Sequence, residues 1–155
     1  MTIKTEHIAR SWAALEPRHT AIIERFYERL FKRFPEYARH FDFDGTTRQN
    51  NRKLAKMVHT LALLAEYCDH RELIRPRLQR LGAAHRELPL SVTDFHHFTD
   101  ALVETLSDEA RDKPDIWGAE CERAWRAAFR QVIGPELANG LTATPNPRTE
   151  WAEMA

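Results

Sequence analysis

What this chain has little of narrows it first. Only 5 glycines and 2 cysteines occur in 155 residues. So few glycines, with little alternation of apolar and polar residues, speak against a sheet protein built on tight turns. Cys68 and Cys121 show no C-x-x-C or zinc-type spacing, which points to a reduced, cytoplasmic setting. Lys+Arg and Asp+Glu both number 23, so the basic excess of a nucleic-acid binder is missing and no nucleic acid is expected as a main partner. No run approaches the roughly 18 apolar residues that a membrane helix needs. The opening residues Met1 to His7 hold no apolar signal core. A membrane is therefore not expected as a partner.

What is present reads as one helical domain. Apolar residues make up 43% and charged residues 30%, enough for a real core under a solvated surface. Thr5 can cap a first helix with Ile8, Trp12 and Leu15 at helical spacing, broken at Pro17. A second carries Ile22, Ile23, Phe26, Tyr27, Leu30, Phe31 and Phe34. Tyr27 falls on its inward face, and a buried phenol needs a hydrogen-bond partner. Pro35 suits the first turn of a short helix over Glu36–His40. A polar connector, Phe41 to Thr47, holds Phe41 and Phe43. The helix that follows runs to about Tyr67 and sets Asn50, Lys53, Leu54 and Met57 on one face. A lysine there ordinarily lays its stem on apolar surface and keeps its ammonium in water.

The next helix carries Leu73, Ile74, Leu78 and Leu81, with Pro76 read as an early-turn proline. It closes on Gly82-Ala83-Ala84-His85, and Pro89 stops it. A histidine beside small residues at a helix end can present its imidazole to a large flat group, and neutral imidazole is a standard ligand of iron. There are 8 histidines, though, and most surface histidines bind nothing, so the pattern alone does not decide. Ser91 with Asp94 forms a capping-box pattern opening a helix with Phe95, Phe98, Leu102 and Leu106. His96 and His97 are adjacent and point about 100° apart, a poor metal pair. The last helix carries Trp117, Cys121, Trp125, Phe129 and Val132 or Ile133, with Pro135 and Gly140 expected to end it. Residues 1–138 are expected to form the domain and 139–155 a loosely ordered tail.

Six or seven helices in this order resemble a bacterial single-domain globin, related to the haem domain of flavohaemoglobins. The residues that carry the resemblance are Phe26-Tyr27-Glu28-Arg29-Leu30-Phe31 with Phe34-Pro35, then Phe41, Arg52-Lys53-Leu54, Leu81-Gly82-Ala83-Ala84-His85 and Ala124-Trp125-Arg126-Ala127-Ala128-Phe129. It covers roughly residues 5–138 and implies an all-α globin fold enclosing a haem, haem b. His85 would be the proximal ligand of the haem iron. Phe41, or Phe43 in another alignment, would pack on the haem edge, and Tyr27 would donate a hydrogen bond to bound O2. Counting back from His85 puts Lys53 at the distal position with Met57 a turn further in. Aligning Arg52-Lys53-Leu54 instead puts Asn50 there with Leu54 a turn further in. Lys53 borders the pocket in both, as a donor to the ligand, as a second ligand of the iron once deprotonated, or with its ammonium led out past the haem edge. Leu81 and Phe95 complete the expected lining.

Two departures bear on chemistry. Such haem domains place a tyrosine ten residues beyond the proximal histidine, where this chain has Phe95. They also carry a glutamate late in the last helix, where only Glu136 is near. A weaker push on bound oxygen is therefore expected. The resemblance implies reversible binding of O2, NO or CO, and NO dioxygenation if a separate reductase supplies electrons. The alternatives are a gas or redox sensor acting through a partner protein, and a helical bundle that has lost its haem. Exposed parts of the last two long helices could pair in a homodimer.

Overall fold

The computed structural model describes residues 5–38, 47–84 and 91–142. Seven α-helices run through them: α1 Thr5–Ala14, α2 His19–Arg33, α3 Thr47–Tyr67, α4 Arg71–Ala84, α5 Val92–Glu109, α6 Ala119–Ala128 and α7 Gly134–Thr142. A 3-10 turn, Pro35–Tyr37, follows α2, and a π turn, Phe129–Ile133, joins α6 to α7. No strand occurs among the described residues, in keeping with the all-α class expected.

The helices form where the apolar spacing requires. On α2, Ile22, Ile23, Phe26, Tyr27 and Leu30 are buried while Glu24, Arg25, Glu28 and Lys32 face water. Each such side chain taken from water contributes about 1.5–3 kcal/mol. The helix stops before Pro35, with the Phe34 N–H bonded to the Leu30 carbonyl at 2.8 Å. Pro35 opens a 3-10 turn that leads into helical backbone at Ala38; the rest of the helix expected over 36–40 lies outside the described residues. Ser91 caps α5 as its pattern predicts: the Asp94 N–H donates to Ser91 Oγ at 3.1 Å and the Ser91 N–H to Asp94 Oδ2 at 2.9 Å.

Two contacts set the scaffold. α1 packs on α6, where the Trp125 indole N–H donates to Ser11 Oγ at 2.9 Å and Ser11 in turn donates to the Ile8 carbonyl. Antiparallel α2 and α5 are stitched at the surface by Arg25 with Glu109, Arg29 with Asp108 and Arg33 with Glu104. Their numbers rise along one helix as they fall along the other.

Two prolines behave differently from their sequence reading. Pro76 is the sixth residue of α4, beyond the first turn, so it deprives the Glu72 carbonyl of an intrahelical partner. The last helix begins at Ala119 rather than at Trp117, and it passes both Pro135 and Gly140 to reach Thr142. Pro135 has no N–H for the Gln131 carbonyl. The chain answers by widening one turn, the Gly134 N–H bonding back to the Phe129 carbonyl five residues earlier. Along Cys121, Trp125 and Phe129, each step of four overshoots a full turn by about 40°. The π turn takes up that drift and brings Glu136 and Gly140 round to α4.

Candidate functional site

The expected distal residues lie on α2 and α3, two helices that pack against each other. Tyr27 is 8% exposed and lies in one apolar cluster with Leu54, Met57 and Phe95. Its ring stacks on Phe31 at 5.7 Å between centroids and leans on Phe26 at 4.8 Å. Burial pushes its phenol well above the ordinary value, so the hydroxyl stays protonated and able to donate. On α3, Leu54 is buried, while Asn50, Lys53 and Met57 on the same row are half-buried. All four lie on the wholly or partly covered side of α3.

From α5, Phe98 meets Phe26 edge-on at 4.8 Å, and Phe95 and Phe98 each lie 6.3 Å from Phe129 at the π turn. Leu81 is half-buried on α4 next to Gly82. Phe41, Phe43 and His85 lie outside the described residues. Within the described residues α4 runs as far as Ala84.

The residues present fit a flat apolar group with a polar centre. Met57, Val58, Phe95 and Phe98 sit on inward stripes yet keep open surface, and the buried Tyr27 phenol supplies one neutral donor. They do not suit a bare metal ion, because among the described residues no three of His, Cys, Asp and Glu converge.

The helix leading to His85 is fixed from behind by α7. Glu136 is 2% exposed, and its carboxylate accepts from Arg71 Nε at 2.8 Å, Arg75 Nε at 3.2 Å and Gln79 Nε2 at 2.9 Å. Burial alone would raise its pKa; the bonds from Arg71, Gln79 and Arg75 outweigh that and hold it below the ordinary value. Further along the same crossing, a Cβ on Gly82 would fall 2.2 Å from the Leu137 carbonyl oxygen, and one on Gly140 would fall 2.0 Å from that of Gln79. Backbone meets backbone there.

Two groups were not legible in advance. Glu136 was noted only as a near miss for a family glutamate. Tyr37, Asp94 and His97, which meet at the corner after α2, were not joined. The signal for the first was the row Arg71, Arg75, Gln79 along one helix face; the second gave none beyond a tyrosine beside Pro35.

Comparison with known proteins agrees with this arrangement. The globin family model matches residues 24–135. The "Anaerobic nitrite reductase NSHB5" of Oryza sativa subsp. japonica is 25% identical over 132 residues, covering 82% of this chain and 86% of that protein. The "Flavohemoprotein" of Halalkalibacterium halodurans is 25% identical over 134 residues, 83% of this chain but 30% of the relative. That of Bacillus cereus is 28% identical over 127 residues, 81% and 30%. The chain thus spans under a third of the flavohaemoproteins it matches and most of the plant protein. By its matching core and its all-α architecture, the chain belongs to the globin family and is related to the haem domains of flavohaemoglobins.

Proposed function

We propose that this haem-binding globin takes a diatomic gas, O2 with NO and CO as alternatives, beside the wall that α2 and α3 build. The observation that carries the reading is Tyr27, a buried phenol kept protonated with its ring against Phe26 and Phe31. When bound, haem, proposed to be haem b, supplies an iron that takes such a gas. His85 would hold that iron, and Phe41, with Phe43 as its alternate, would pack on the edge of the group. The Tyr27 hydroxyl is a fixed donor for a ligand that draws negative charge onto its outer atom. In dry surroundings that bond is stronger than in water. Leu54 and Met57 keep water out. Lys53 would either donate to the ligand, bind the iron as a neutral amine, or lay its stem on the apolar wall and send its ammonium outward.

The same reading extends to turnover. NO, O2 and one electron balance to nitrate, and a separate reductase would supply the electron. A cytoplasmic setting and a homodimer belong to this reading as well.

Visible spectra test it. Protein expressed with haem available should bind one haem per chain and give a CO-bound Soret band in the reduced state. His85→Ala should lose the band and added imidazole should restore it. Absence of haem uptake would end the reading. Replacing Tyr27 by Phe removes one donor and should speed O2 release by about 10- to 100-fold, read by laser photolysis or stopped flow; an unchanged rate would remove Tyr27 from the site. For Lys53, the ferric spectrum is followed between about pH 6 and pH 10. A change with pH that Lys53→Ala abolishes identifies the amine as ligand, and identical spectra in both proteins assign it to the outer surface.

A further inference from the structure

Tyr37 stands at the end of the 3-10 turn, and its hydroxyl reaches two side chains of α5. It lies 2.5 Å from Asp94 Oδ1 and 2.9 Å from His97 Nδ1. A phenol has one hydrogen, and the carboxylate, which can only accept, takes it. His97 must then donate its own Nδ1–H to the phenol oxygen, which fixes its tautomer. The imidazole is held from the other side too, stacked on Phe34 at 3.9 Å and 13°. Asp94 is doubly engaged, since its other oxygen closes the Ser91 capping box. The bond from Tyr37, first among its causes, holds the Asp94 carboxyl below its ordinary value.

The position of this group in the chain gives it meaning. Tyr37 is four residues before Phe41, and Asp94 is nine residues after His85. Charge-assisted bonds therefore tie together the chain on either side of the two stretches on which the cofactor contacts are placed. We propose that Tyr37, through Asp94 and His97, is a positioning latch that keeps bound haem from leaving, by holding the corner after α2 against the first turns of α5. The inference rests on the haem reading above. No residue of the latch is among those assigned to hold the group or its ligand.

The test compares Tyr37→Phe, which loses the hydroxyl and keeps the ring on Phe34, with Arg29→Gln, which loosens the same pair of helices elsewhere. Haem loss from the loaded protein to an excess of a haem-scavenging apoprotein is measured beside chemical unfolding. Tyr37→Phe should release haem about tenfold faster, more than its change in unfolding midpoint accounts for, while Arg29→Gln should lower the midpoint without that excess. Both variants falling on one line of haem loss against stability would overturn the latch, as would an unchanged rate in Tyr37→Phe. Hydrogen exchange on the haem-free chain separates the two readings. Faster exchange confined to amides of residues 36–38 and 91–97 in Tyr37→Phe shows that the tie between the corner and α5 exists whether or not haem is taken up, and unchanged exchange there overturns the latch.

Discussion

Gly82→Ala should unfold at markedly lower denaturant than the parent, with a loss of about 3 kcal/mol. In an ordinary helix the change would help, since alanine is the better helix former by about 1 kcal/mol. Here the new methyl would stand 2.2 Å from the Leu137 carbonyl oxygen. That atom is backbone, so no rotamer change relieves the overlap. α4 and α7 must part by about 1 Å before the contact becomes ordinary. Gly140→Ala meets the Gln79 carbonyl across the same crossing and should cost a similar amount. Because one separation relieves both clashes, the double variant should lose clearly less than the two singles together. Urea unfolding of the three variants decides it: a Gly82→Ala protein as stable as the parent would mean that the helices do not meet this closely. Parting them also displaces the end of α4, so weaker haem retention should accompany the loss of stability.

Glu136→Ala should be the other large effect, about 3 kcal/mol. A buried carboxylate with three donors leaves them all unsatisfied when it goes. The figure stays at the low end for a buried pair because Arg71 and Arg75 are 39% and 48% exposed and can return to water. Glu136→Gln keeps the shape and one acceptor and should cost less than half as much. The pH dependence has a fixed sign. Glu136 in the folded chain has a pKa below its ordinary value of 4.5, so the carboxylate's contribution is complete above that value. It fades as pH falls through the lower, folded pKa. The gap in unfolding free energy between parent and Glu136→Gln should therefore be constant from neutral pH down to about 5 and shrink only as pH falls below the ordinary carboxyl value. A gap that widens in acid would show that the carboxyl is buried neutral.

These two effects lie in the part of the molecule that sequence reading recovered least. Local stops and starts were legible because their cause is local: Pro17 and Pro35 lack a donor, and Ser91 with Asp94 closes a cap within four residues. The inward face of α2 was equally open to reading, since Ile22, Ile23, Phe26 and Leu30 mark it and Tyr27 falls among them. That Asn50, Lys53 and Leu54 share the covered side of α3 was legible because a helix fixes which residues lie together. The crossing of α4 and α7 was hidden for the opposite reason. Nothing near Gly82 or Gly140 states that a backbone from more than fifty positions away will rest on each. Pro135 was misread because its missing donor normally ends a helix, whereas packing of α7 on α4 keeps the helix going through a wider turn. Tyr37 and His97 are far apart in sequence and meet only once α2 and α5 lie antiparallel.

The wide turn at Phe129–Ile133 also makes Pro135 a lock. Contracted to ordinary α geometry, the turn would rotate everything after it by about 100°. Glu136 would swing off Arg71, Arg75 and Gln79, and Gly140 would leave the Gln79 carbonyl. The contracted form calls for a hydrogen bond from residue 135 that proline cannot make. The two helices are thus aimed independently: α6 at α1 by Trp125 and α7 at α4 by Glu136, with the wide turn before Pro135 setting the angle between the two aims.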